Sequence, residues 1–183
     1  MAPMKDLPPK YEIINQLLKK ATINQPDGSK GTLHYGTSGE AFNKDLPLLD
    51  VSMENDPHLV GALFRDYCYL SSEYLLEPCD IQFRKDKTYG LARDVLPKNI
   101  ALPLVTLANK IGCFPFLEYA YSYALQNYYK VDPKGGMNFD NLKAIRFFEG
   151  SKDENGFILT HVIMDAFSNR LVTHISAAFD AVE

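Results

Sequence analysis

The sequence is poor in cysteine, in signal-like segments and in long apolar runs. Three cysteines, Cys68, Cys79 and Cys113, are too few and too widely spaced for a disulfide framework or a Cys-based zinc site. They are typical of free thiols in a reducing compartment, so we expect a cytoplasmic protein. The N-terminal segment lacks the apolar core of a signal peptide, and no apolar run reaches about 18 residues, so we expect no membrane span.

Charge of one sign and the common catalytic motifs are also missing. The 19 Lys and Arg against 23 Asp and Glu give a net charge of −4 without a basic stripe, which argues against a nucleic-acid partner. The sequence has no HExxH motif, no cluster of Cys and His, no Gly-rich phosphate loop and no GxSxG elbow. We therefore expect no metal ligands in this chain, and the standard hydrolase and nucleotide-binding classes have no support.

The 183 residues, 46% hydrophobic and 23% charged, suit one globular domain with its own core. Residues 1–44 form a weakly specified lead-in, with a helix predicted over Tyr11–Ala21 and a loop over Asn24–Glu40. A cap-and-proline start followed by apolar residues every three or four positions predicts a helix from about 57 to 76. The stretch Glu77–Arg93 breaks this pattern with a proline, a glycine and a run of charge, which predicts a surface connection.

Proline and glycine mark the elements of the middle of the chain. A helix is predicted to begin at Pro103, to run to Ile111 and to stop at Gly112. A further helix is predicted over Phe116–Tyr129, and strong turn signals follow it at 132–136.

The last third of the chain is ambiguous from its pattern. Leu142–Glu149 is typical of a strand, and Gly150–Gly156 of a polar turn. The apolar, partly β-branched segment from Phe157 to Phe167 fits a buried strand or a buried helix, and its continued apolar pattern favours a helix. We therefore predict a mainly α fold with a small β element near 142–149.

His161 is the strongest single candidate for chemistry. Its apolar neighbours predict a desolvated setting, where a neutral imidazole accepts a hydrogen from a substrate N–H or donates one. A core histidine bonded to backbone explains the same pattern. In the predicted helix 116–129, helical spacing places on one face Tyr119, Ser122, Tyr123 and Gln126. That face either lines a pocket for an aromatic ligand or buries its rings with their hydroxyls near water.

One segment resembles a known family. Val95–Pro103, with the sequence VLPKNIALP, is similar to the VLPxNIAxP signature of the indoleamine 2,3-dioxygenases, haem enzymes that open the indole ring of tryptophan. Later features keep the family's order, namely a helix with Tyr119-Ala120, then Asp132-Pro133, Asn141-Leu142, and Gly156-Phe157 before an apolar helix. The resemblance covers about 45–183 and identifies that range as the small, distal-pocket domain of such a fold.

The resemblance implies a role for several residues. In the family, a small N-terminal domain roofs the substrate pocket, and a large helical domain holds haem b. The resemblance implies that the distal pocket and the indole contact are formed by Tyr119, Ser122, Tyr123, Phe157 and Ile158. His161 matches a position that is serine in some members, and related tryptophan 2,3-dioxygenases pair a distal histidine with the indole N–H. The resemblance therefore makes His161 the catalytic candidate.

The implied function is a reaction that this chain is expected not to complete alone. The iron-ligating histidine and the carboxylate-binding arginine of the family belong to the large domain, which we expect to lie outside this chain. The implied reaction joins O2 to L-tryptophan, or a related indole, to give N-formylkynurenine in the kynurenine pathway. We expect an exposed apolar face that binds the large domain or a second copy. An oxygen-binding haem protein without catalysis and a haem-free interaction module stay open as alternatives.

Overall fold

A computed structural model describes residues 3–181. After a 3₁₀ turn at Pro9–Tyr11, the elements in chain order are α1 Glu12–Ala21, α2 Thr32–Tyr35, α3 Ser38–Asp45, α4 Pro57–Asp86, α5 Lys98–Ile111, a π-helix at Tyr119–Leu125, β1 Tyr128–Lys130, β2 Leu142–Ala144 and α6 Lys152–Asp180. The predicted mainly α fold with a small β element is confirmed. None of the described helices is long and apolar enough to cross a membrane.

The core is built around α4, whose residues 59–71 are buried without interruption. A helix buried on all sides needs partners all round it, and α4 packs against α1, α3, α5 and the π-helix. The largest apolar side chains in this core are Tyr11, Ile14, Phe42, Leu63, Phe64, Tyr67, Tyr69, Leu70, Ile100, Leu104 and Leu107. The site described below lies at the edge of this core, where the π-helix meets α6.

A buried ion cluster joins α4 to the segment after β2. Asp66 accepts from Arg65 Nε at 2.7 Å and from Arg146 Nη2 at 2.5 Å, and Arg146 Nη1 donates to Asn15 Oδ1 of α1 at 2.8 Å. Burial raises the pKa of Asp66, but the guanidinium groups of Arg146 and then Arg65 outweigh it and hold that pKa below its usual range. Asp66 is therefore a carboxylate that compensates two buried cations.

The lead-in contains more structure than its sequence predicts. Helices α2 and α3 lie in or overlap the predicted loop Asn24–Glu40, so that prediction is wrong from Thr32 onward. The start of α3 is stabilised from a distance, because the carboxylate of Glu77 in α4 accepts from the backbone N–H of Ser38 at 2.6 Å. Residues before and after position 45 share one core. The division of the chain at residue 45 stays a prediction.

Helix α4 begins as predicted and ends ten residues later than predicted. Its start is capped, since Asp56 Oδ1 accepts from the N–H of His58 at 3.0 Å, and Pro57 occupies the first helical position. The predicted end near 76 and the surface connection from 77 are wrong, because the helix continues to Asp86.

The continuation of α4 through Pro78 depends on Arg93. Proline has no N–H, so Pro78 leaves the carbonyl of Tyr74 without its helical donor. The Arg93 guanidinium donates to that carbonyl, lies 4.7 Å from the centre of the Tyr74 ring and donates to Glu77 Oε2 at 2.6 Å. The segment after α4 therefore folds back and repairs the helix that the proline interrupts.

Helix α5 begins at Lys98, so the predicted start at Pro103 is wrong. Pro103 lies inside the helix and removes one backbone hydrogen bond without ending it. The first turn is fixed by tertiary contact, because Asn99 Nδ2 donates to the carbonyl of Leu46 at 2.7 Å. The predicted stop is confirmed, since Gly112 has φ +79°, the left-handed conformation that glycine adopts at low cost.

The predicted helix over Phe116–Tyr129 is wrong in length and in type. The chain forms a π-helix over Tyr119–Leu125, in which the carbonyl of Glu118 accepts from the N–H of Tyr123, five residues on, at 3.2 Å. It then enters strand β1, which pairs antiparallel with β2. The predicted strand near 142–149 is confirmed for three residues, Leu142–Ala144.

Helix α6 confirms that the apolar C-terminal segment is helical, but the expected burial is wrong beyond Ile158, Leu159 and Val162. It begins inside the predicted turn Gly150–Gly156, so that turn is shorter than predicted. Ser151 Oγ accepts from the N–H of Glu154 at 3.1 Å, and the Glu154 carboxylate accepts from the N–H groups of residues 148–150 at distances of 2.8, 2.9 and 2.8 Å. The Ser151 cap and the bonds of Glu154 to the segment before it set the start of α6 and the direction in which it leaves the core.

Candidate functional site

Four side chains from two elements form an aromatic cluster at the junction of the π-helix and α6. Tyr119 and Tyr123 come from the π-helix, with ring centres 6.0 Å apart. Phe157 and His161 come from the first turns of α6, with ring centres 4.9 Å apart. The two pairs interlock, since the Tyr119 ring lies 6.0 Å from Phe157 and 5.1 Å from His161. We call these four residues the aromatic cluster.

The hydrogen bonds of His161 define its tautomer. Nδ1 lies 2.8 Å from the carbonyl oxygen of Phe157, and Nε2 lies 2.7 Å from the hydroxyl of Tyr119. A carbonyl oxygen only accepts, so Nδ1 carries a proton, and in the neutral ring Nε2 is the acceptor and Tyr119 the donor. His161 is half-buried rather than desolvated, which corrects the expected burial. Its ring turns toward the π-helix and bonds to the Tyr119 side chain, so His161 is not a core histidine that bonds only to backbone.

Two of the predicted site residues point elsewhere. Ser122 is fully buried, and its Oγ lies 3.6 Å from Cys68 Sγ. Ile158 is fully buried as well, one position away from the exposed Phe157. The expectation that Ser122 shares a face with Tyr119 and Tyr123 is wrong, because the wider turn of the π-helix aligns residues four apart and rotates the residue between them into the core.

The thiol behind Ser122 is inert. Burial raises the pKa of Cys68 to about 12, and its Sγ donates to the carbonyl of Phe116 at 3.2 Å. This part of the site therefore packs and positions the π-helix, and it offers no nucleophile.

Sequence reasoning missed two rings that support the cluster from behind. Tyr69 of α4 stacks on Phe148 with ring centres 4.6 Å apart, and both lie beside Tyr123, at 6.1 and 6.2 Å. Burial, with a smaller contribution from Glu154, raises the pKa of Tyr123 to about 12, so its hydroxyl stays neutral. Tyr69 and Phe148 are far apart in the sequence, and only the fold brings them together.

The front of the cluster is open. Tyr119 exposes 46% and Phe157 exposes 51% of its surface, so the cluster forms one wall of a site rather than an enclosed pocket. The same side of the molecule carries further exposed apolar residues along α6, namely Met164, Phe167, Leu171, Val172, Ile175 and Phe179.

The described residues contain no cluster of metal ligands. Within residues 3–181 no group of three or more His, Cys, Asp or Glu side chains converges on one point. The ring nitrogens of His161 bond to Tyr119 and to the Phe157 carbonyl, and His174 lies on the exposed part of α6.

Comparison with known proteins identifies the family. The family model described as indoleamine 2,3-dioxygenase matches residues 2–183. The chain belongs to the indoleamine 2,3-dioxygenase family. The match extends the resemblance seen over 45–183 to the lead-in, in agreement with the core that the two parts share.

Individual indoleamine 2,3-dioxygenases are similar over part of this chain. Indoleamine 2,3-dioxygenase 1 of Mus musculus is 35% identical over 91 residues, which are 50% of this chain and 22% of the mouse protein. Indoleamine 2,3-dioxygenase 2 of Homo sapiens is 36% identical over 72 residues, or 39% and 17% of the two chains. Indoleamine 2,3-dioxygenase of Saccharomyces cerevisiae is 32% identical over 90 residues, or 46% and 20%. The matched part spans about a fifth of each relative's length.

Proposed function

We propose that this chain forms the distal wall of the substrate pocket in a haem dioxygenase that opens the indole ring of L-tryptophan with O2 to give N-formylkynurenine. Family membership supports the reaction class. The observation that carries the role of this chain is the pairing of His161 with Tyr119 beside two exposed aromatic faces. The free cysteines fit the cytoplasmic location that we propose with it.

In this proposal the oxygen chemistry belongs to a haem b whose iron ligand lies outside the described residues. The chain's own part would be to bind, orient and shield the indole. The indole packs against Phe157, and its N–H donates to His161 Nε2 in place of the Tyr119 hydroxyl. The Phe157 carbonyl keeps the proton on Nδ1 throughout, so that Nε2 remains an acceptor.

The exposed face of α6 has a place in the same proposal. Six large apolar side chains on one helix are an unusual exposed surface for a chain that acts alone. We propose that a haem-holding large domain covers this face, because the relatives extend far beyond the matched part. Self-association through the same face is the competing outcome, and sedimentation of the chain with and without such a domain distinguishes the two.

Indole binding is measurable directly, because the chain has no tryptophan. The fluorescence anisotropy of added L-tryptophan, excited where tyrosine does not absorb, is expected to rise on titration with the protein. His161→Ala removes one hydrogen bond and is expected to weaken binding by a few-fold to about tenfold, since a net hydrogen bond contributes about 0.5–1.5 kcal/mol. His174→Ala, on the same helix and outside the cluster, is the matched control.

A ligand without the indole N–H distinguishes a hydrogen bond to His161 from packing against the aromatic cluster. In wild type, 1-methyl-L-tryptophan, which lacks the indole N–H, is expected to bind as weakly as L-tryptophan binds to His161→Ala. Equal binding of both ligands to wild type contradicts the role of His161. In the protein completed by a haem-holding domain, formation of N-formylkynurenine supports the dioxygenase. A haem absorption band without product supports the oxygen-binding alternative, and no haem band at all supports an interaction module.

A further inference from the structure

A cavity lies behind the aromatic cluster, between α2, the second half of α4 and the segment before α6, and its wall includes Phe148, the ring that supports Tyr123. Its volume is about 620 Å³, within the range of small-molecule sites. Its walls are mainly apolar and include Leu33, Leu76, Phe83 and Phe148. The four residues of the aromatic cluster do not line it.

Glu73 lies in the wall of this cavity with its carboxyl group unpaired. It is 2% exposed, and within residues 3–181 neither carboxyl oxygen has a hydrogen-bond partner. Buried polar groups nearly always find partners, and a buried carboxyl without one is costly. Burial raises the pKa of Glu73 well above its usual range and so favours the neutral acid.

The other acidic groups that line the cavity already have partners. Asp80 pairs with Arg84 Nε at 2.9 Å, and Arg84 also donates to the carbonyl of His34 at 2.8 Å. Glu77 accepts from the N–H of Ser38 at 2.6 Å and from Arg93. The exposed Glu149 accepts from Ser151 at 2.7 Å, and Lys30 donates to Asn24 at 2.5 Å. Of the described acidic groups that line the cavity, Glu73 is therefore the one whose carboxyl oxygens are free to bind a ligand.

We propose that this cavity binds a small organic cation, an ammonium group on an apolar or aromatic body, through an ion pair with Glu73. An ammonium group has three N–H donors, enough for both carboxyl oxygens, while the body packs against Leu76, Phe83 and Phe148. We expect the Glu73 side chain to turn toward the cavity as the ligand enters. A neutral carboxyl gives up its proton when the ion pair forms, so up to one proton is released for each cation bound.

The test uses a cation and its neutral counterpart. 2-Phenylethylamine, cationic at neutral pH, and 2-phenylethanol are titrated into the folded chain by isothermal calorimetry, in two buffers with different ionisation enthalpies. We expect the amine to bind about tenfold to a hundredfold more tightly than the alcohol, as a charge-assisted hydrogen bond requires. The difference between buffers is expected to show the release of up to one proton per amine.

Two variants locate the binding. Glu73→Gln is expected to lose the preference for the amine and the proton release. Glu149→Gln, the same change at an exposed position of the same cavity, is expected to retain both. Equal affinities of amine and alcohol in wild type, unchanged amine binding in Glu73→Gln, or no amine binding to the folded wild-type chain would each overturn the proposal.

Discussion

Glu73, buried in α4 with no hydrogen-bond partner within residues 3–181, makes the free energy of unfolding depend on pH. Burial raises the pKa of its carboxyl well above the usual range, Arg146 opposes this, and Glu77 and Glu154 reinforce it. Above about pH 4.3 the unfolded chain loses this proton while the folded chain retains it. The free energy of unfolding therefore falls as pH rises from about pH 4.3 toward the folded pKa. Below about pH 4.3 both states hold the proton, and this loss of stability is absent.

Replacing Glu73 by an apolar residue is expected to raise the free energy of unfolding, because it removes a buried polar group without a partner among the described residues. Leaving a buried polar group unsatisfied costs about 1–3 kcal/mol, so we expect Glu73→Met to raise the free energy of unfolding at neutral pH by about that amount. For a chain of this size the gain raises Tm by about 2–4 °C for each kcal/mol. Glu73→Gln keeps an unsatisfied polar group and removes only the ionisation, so its gain is expected to be smaller.

Urea unfolding at a series of pH values, from about pH 4 to about pH 7, measures both effects. The advantage of either variant over wild type is expected to shrink as the pH falls, because wild type then has no ionisation penalty. Glu149→Gln, at an exposed position, is expected to show no comparable trend. Destabilisation by Glu73→Met at neutral pH, or a gain from Glu73→Gln that does not change with pH, would refute the reasoning.

Two further substitutions test the contacts that join distant parts of the chain. Asp66→Asn leaves Arg65 and Arg146 buried without their carboxylate and is expected to cost about 3–5 kcal/mol in urea unfolding at neutral pH. In wild type, the stabilisation from Asp66 is lost as pH falls through its lowered folded pKa. The loss of unfolding free energy in Asp66→Asn should therefore diminish in acid. A loss that does not depend on pH contradicts the ion cluster. Arg93→Ala removes the donor to the Tyr74 carbonyl, so amides 79–86 are expected to exchange hydrogen faster while amides 60–72 are unchanged, and uniform acceleration along α4 contradicts a local repair.

The elements that the sequence predicts correctly have their causes nearby in the chain. The start of α4 at Pro57 needs only Asp56 and the proline itself. The stop of α5 needs only Gly112. The start of α6 lies inside the expected turn Gly150–Gly156 and was predicted too late, although Ser151 and Glu154 stand at the S-x-x-E spacing of a helix start and its cause is therefore local as well.

The elements that were predicted wrongly depend on residues far along the chain. Helix α3 begins where Glu77 accepts from Ser38, 39 positions earlier. Helix α4 continues past Pro78 because Arg93 lies 19 positions after the carbonyl that it binds. The pattern of apolar residues within either segment does not show these long-range contacts. A prediction that ends a helix near a proline therefore ends α4 too early.

The candidate site illustrates both cases in one place. Tyr119 and Tyr123 are four residues apart, as are Phe157 and His161, and a spacing of four keeps two side chains together in an α-helix and in a π-helix alike. Ser122 is three residues from Tyr119, a spacing that aligns side chains only in the tighter helix. The four residues of the aromatic cluster are two pairs at a spacing of four, which keeps side chains together in either type of helix. The hydrogen-bonding groups of the cluster are therefore those of His161 and Tyr119 and not that of Ser122.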